Sequence, residues 1–72
     1  MRIAINTTDT QYAAAHETDS AGRVIVTVDD SIVEHVTFAG RDMIRFDLQS
    51  VGKLPRDFGN RYAMYPATRI VK

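Results

Sequence analysis

The side chains with the most chemistry to offer gather after Gly52: Lys53, Arg56 and Phe58, then Arg61, Tyr62 and Tyr65, then Arg69. Cations interleaved with aromatic rings suit a nucleic acid, because the charges neutralise phosphates while bases stack on the rings. Tyr, Met, Phe and Arg are also the residues enriched at protein interfaces, and all four occur within residues 56–65. The stretch matches no recognised RNA- or DNA-binding motif, and the chain as a whole is not basic. The bland alternative has Tyr62, Met64 and Tyr65 packing partly in the core while the arginines solvate its rim.

A second cluster is acidic: Asp29, Asp30 and Glu34. It reads as a polar turn or as a surface facing a basic partner, although three carboxylates make only a modest field. Adjacent aspartates make a poor acid–base pair, since such work needs environments that drive two pKa values apart. A metal would have to use His16 with Glu17 and Asp19, or His35 with Glu34, Asp29 and Asp30. Neither spacing matches a ligand motif, and on a strand Glu34 and His35 point to opposite faces. Nucleophilic catalysis lacks its parts as well: no nucleophile elbow is present, and Gly22, Gly40, Gly52 and Gly59 stand singly, so no phosphate loop exists. The sequence therefore predicts no enzyme, no cofactor and no metal.

Charge is balanced, with nine Lys and Arg against nine Asp and Glu, but unevenly placed. Residues 1–39 carry two basic and six acidic side chains, and residues 40–72 carry seven and three. Opposite halves of one small domain would attract each other. Without cysteine, and with only two histidines, neither a disulfide nor a zinc staple is on offer, so one hydrophobic core must supply the stability, with a homodimer as a natural supplement. The apolar runs are too short for a signal peptide or a membrane span, which predicts a soluble, cytoplasmic protein with no membrane partner.

The elements that must position these residues follow from periodicity. Ile3 and Ile5 alternate in a first strand over 2–6. Tyr12-Ala13-Ala14-Ala15, preceded by Asp9 and Thr10 as caps, predicts one short helix within 10–17, with a long loop to Gly22 as the alternative. Residues 23–28 are β-branched at five of six positions and apolar on both faces, as a central strand would be. Ile32 to Phe38 and Met43 to Gln49 alternate almost strictly. They predict an antiparallel hairpin linked by Ala39-Gly40-Arg41-Asp42, registered to keep Val36, Phe38, Ile44, Phe46 and Leu48 on one face. Residues 52–60 read as an irregular loop, and Pro66 marks an edge or a break between two short strands.

The expected architecture over residues 1–72 is one mainly β domain of four to six short antiparallel strands, sheet-like or barrel-like, with α+β as the alternative. The expected function is non-enzymatic: a protein-interaction domain, acting as an adaptor, a subunit or an inhibitor on another protein's surface. A short chain opening on Met1 without linkers fits the stand-alone products that mobile elements often encode. Nucleic-acid binding through the basic and aromatic C-terminal surface is the alternative.

Overall fold

The computed structural model describes residues 1–72 as seven strands and one short helix. These are β1 (Arg2–Ile5), α1 (Thr10–Ala14), β2 (Glu17–Thr18), β3 (Val24–Thr27), β4 (Glu34–Phe38), β5 (Arg41–Asp47), β6 (Tyr62–Pro66) and β7 (Ile70–Val71). The fold is mainly β, as the alternation predicts. The five longer strands fall within the expected number, and the two-residue ladders β2 and β7 widen one sheet. All pairing is antiparallel, in a four-stranded sheet ordered β2-β3-β1-β7 and a three-stranded sheet ordered β4-β5-β6; the two do not close into a barrel.

The core lies between the sheets. Ile3, Ile5, Val24 and Val26 face inward from one, Ile44, Phe46 and Ala63 from the other, and Tyr12, Val28 and Leu48 complete the cluster. Burying each of the larger aliphatic side chains contributes about 1.5–3 kcal/mol relative to exposure. The β3 strand sits inside its sheet, between β2 and β1, which explains its apolar residues on both faces. Val24 and Val26 enter the core, while Ile25 is 6% exposed on the outer face. There Arg2 of β1 and Glu17 of β2 form an ion pair that spans β3.

The short helix lies within residues 10–17 as expected and stops at Ala14, because Glu17 and Thr18 pair with Ile25 and Val24 at the free edge of β3. Asp19 then turns the chain by accepting from the Ala21 and Arg23 amides and from the Arg23 Nε. The hairpin is present, but its expected register is corrected. Its loop is the two residues Ala39 and Gly40, with φ of 51° and 74°, and Phe38 pairs directly with Arg41. Two consecutive residues in the left-handed region make the tight turn whose twist matches the flanking strands. That turn sets the register Val36↔Met43 and His35↔Ile44, which puts Val36 and Phe38 on the face opposite Ile44 and Phe46. Phe38 is accordingly 61% exposed. Leu48 keeps its place in the core from a 3-10 turn just beyond the strand, its amide donating to Arg61 O at 2.7 Å.

No helix is long and apolar enough to cross a membrane.

Candidate functional site

Cross-strand partners share a face of the sheet, so the register identifies the outer surface of β4-β5-β6 row by row. One row is Val36, Met43 and Pro66; the next is Glu34, Arg45 and Met64; Phe38 with Arg41, and Asp47 with Tyr62, lie at the two ends. Phe38, Tyr62 (51% exposed) and Met64 (42%) are three of the four large hydrophobic side chains that stand out from the molecule. Large apolar groups clustered on one sheet face are the feature that needs explaining, since singly scattered ones are ordinary.

Charge on this face is organised around Tyr62. The Arg45 and Arg61 guanidinium groups lie 5.8 and 5.1 Å from its ring centre, and Arg61 Nη2 donates to its hydroxyl at 3.1 Å. Arg45 pairs with Glu34 at 3.1 Å, and Arg61 pairs with Asp47 at 3.4 Å. The Tyr62 hydroxyl and then the Asp47 carboxylate push the Arg61 guanidinium further up from its ordinary value, so it stays charged. Arg41 forms no ion pair. The result is an aromatic ring held by two paired cations, with Met64 in the next row and Phe38 at the far end of the face.

The C-terminal residues singled out by sequence are distributed over three places. Arg61 and Tyr62 belong to the outer face just described. Tyr65 and Arg69 lie on the other side of the sheet and tie the two sheets together. The Tyr65 hydroxyl accepts from the Asn6 amide at 3.1 Å, and Arg69 lies 5.5 Å from the Tyr65 ring and donates to the Asn6 side chain. Burial pushes the Tyr65 phenol up from its ordinary value.

Lys53, Arg56 and Phe58 lie beside α1. Asp9 Oδ1 caps the helix by accepting from the Gln11 and Tyr12 amides, while Oδ2 accepts from the Arg56 amide at 2.9 Å. Those bonds, the one from Arg56 foremost, hold the Asp9 carboxyl below its ordinary value. Next to it Asp57 accepts from the Thr7 hydroxyl and the Thr8 amide, with the same effect on its own carboxyl. Phe58 packs half-buried on the core. Lys53 and Arg56 rim a cleft of about 300 Å³, walled by Tyr12, His16, Val51 and Leu54.

Each residue of the acidic cluster has a partner within the chain. Asp29 accepts from the Ser31 amide and hydroxyl, which hold its carboxyl down; Asp30 lies 2.8 Å from the Met1 ammonium; Glu34 pairs with Arg45. No group of three His, Asp or Glu side chains is placed to hold a metal ion.

Val36, Phe38, Arg41, Met43, Arg45 and Met64 complete the outer face; alternation already sets Met43 and Arg45 opposite Ile44, whereas Val36 and Phe38 were expected beside it. The signal was available in Ala39-Gly40: counted as a two-residue loop, it gives Phe38 the parity of Arg41 and Met43, opposite to that of Ile44. No family model, curated protein or solved structure matches the chain.

Proposed function

We propose that the chain is a non-enzymatic protein-interaction domain, an adaptor, subunit or inhibitor, whose working surface is the outer face of β4-β5-β6. The observation carrying this reading is the exposure of Phe38, Tyr62 and Met64 on one sheet face, with Arg45 and Arg61 holding the Tyr62 ring. Interfaces draw their energy from such aromatic and Arg anchors, which lose little rotamer entropy on binding when they are already held in place.

Charge favours a protein over a nucleic acid here. Phosphate binding needs free cations, and two of the three arginines on this face are already paired with carboxylates. A protein surface asks for no net charge.

A photoreactive phenylalanine analogue at position 62 or 64 tests the reading in nuclease-treated lysate, with the same group at exposed Ser20 as control. The expected result is one discrete protein adduct from positions 62 and 64 and none from position 20. Adducts that vanish with nuclease point instead to nucleic acid. Equal labelling from all three positions removes the support for this face.

A further inference from the structure

The three-stranded sheet has two free edges, and they are not alike. The β6 edge ends in Pro66, which has no N–H to offer a neighbour. The β4 edge is open: Glu34–Phe38 pairs only with β5, through five consecutive register pairs without a bulge, and contains no Pro, Gly or Lys. Proteins usually blunt such an edge with a proline, a lysine, a bulge or a covering element. The turn also determines which backbone groups are free. In a two-residue loop the flanking residues are hydrogen-bonded to each other, so Phe38 and Arg41 exchange bonds, and so do Val36 with Met43 two residues on. The N–H and C=O groups of His35 and Thr37 therefore point away from β5, into solvent.

We propose that two copies of the chain pair through β4, antiparallel about a two-fold axis beside Val36, joining two three-stranded sheets into one continuous sheet. This goes beyond the outer-face reading, because it uses the strand's edge and leaves that face open, doubled in extent.

Three properties of the edge are self-complementary. With Val36 opposite Val36 of the second copy, His35 stands opposite the second copy's Thr37, and the free backbone groups of each meet those of the other in a hydrogen-bonded pair. The apolar row Pro66, Met43, Val36 runs across the sheet to this edge and stops there; in the pair it continues through the second copy's Val36 and Met43. Glu34 comes opposite the second copy's Phe38, one strand from the second copy's Arg41, the cation that has no ion pair within a single chain. Two strand spacings, about 10 Å, then separate Glu34 from that arginine. The chain already bridges the same separation between Arg2 and Glu17, across β3. Two-fold contacts of this kind are isologous and close on themselves, so the assembly ends at two copies.

Five-residue edges make a small interface, so the dimer is weak and depends on concentration. Sedimentation of the purified chain from about 1 µM to about 1 mM is expected to show the average mass rising from near 8.1 kDa toward twice that value. Thr37→Pro removes an outward N–H without touching the ladder to β5 and is expected to leave a folded monomer. Arg41→Glu, on an exposed side chain, places like charges across the joint and is expected to weaken association about tenfold or more. Hydrogen exchange needs no variant: the His35 and Thr37 amides are expected to slow as concentration rises, while the exposed Ser20 amide does not. A monomer at 1 mM overturns the proposal, as does a Thr37→Pro chain that folds and dimerises like the parent, or His35 and Thr37 exchange that ignores concentration. All three use the isolated chain, so they can fail without bearing on whether another protein binds the outer face.

Discussion

Replacing Tyr12 with phenylalanine is expected to stabilise this protein, the reverse of what trimming a buried side chain usually does. Tyr12 is 8% exposed, belongs to the core cluster, and carries a buried hydroxyl with no hydrogen-bond partner. An unpaired hydroxyl in apolar surroundings costs about 1–3 kcal/mol. Removing one oxygen leaves a void of roughly 10 Å³, which costs about 0.2–0.3 kcal/mol. The ring stays, and with it the stack on His16, whose ring centre is 4.2 Å away at 19°. The net gain is about 1 kcal/mol. For a chain of this size that raises the thermal midpoint by about 4–8 °C. With a urea slope of about 1 kcal/mol per M, it moves the midpoint up by about 1 M without changing the slope. Equilibrium urea unfolding of Tyr12→Phe beside the parent decides the matter. A midpoint that stays put or falls refutes the reasoning, because the hydroxyl would then be making a bond worth more than its desolvation costs. Alkaline titration gives a second reading. Burial pushes the phenol above its ordinary value of 10.0, so the unfolded chain loses this proton first. The corresponding stability is complete below pH 10.0 and is lost as pH rises through the folded value, a loss that Tyr12→Phe should reduce.

The hairpin turn makes an opposed pair of variants: Ala39→Asn relieves a left-handed alanine and should raise stability by about 0.5–1 kcal/mol, while Gly40→Val should lower it by about 1–2 kcal/mol. Urea midpoints of both check this, and equal effects would mean that the turn does not hold the register. Asp9 and Asp57 both carry carboxyls held below the ordinary 3.8, so the stability they supply is complete above pH 3.8 and is lost as pH falls through their folded values. In Asp9→Asn a single amide oxygen must serve both the α1 cap and the Arg56 amide, which Asp9 divides between its two oxygens. That variant should unfold at lower urea at pH 7 and lose less on acidification to pH 2, followed by circular dichroism; an unchanged acid profile would separate the clasp from acid stability.

What the sequence determined by itself was local. The alternation of Ile3 and Ile5, the β-branched run at 24–28 and the alternation of 43–47 each place a strand, because side-chain parity is a property of one strand alone. The Asp9 cap and the Ala-rich turn place the helix start for the same reason. Its end, by contrast, depends on the edge of β3 being free to take Glu17 and Thr18, a fact about another strand. The dispersal of the seven C-terminal residues is likewise tertiary: Arg56 meets Asp9 across 47 positions and Tyr65 meets Asn6 across 59, separations no local pattern records. The outer face sits between these cases. Met43 and Arg45 already read as facing away from Ile44, but Val36 and Phe38 are β formers that read as core, and only the relation between two strands, set by the left-handed Ala39-Gly40 turn, turned them outward. Any even-numbered loop, the two residues found or the four of Ala39 to Asp42, sets Val36 and Phe38 on the face opposite Ile44, and only an odd-numbered one joins them to it, so the surface that carries the proposed function was decided by a turn and not by the hydrophobic pattern.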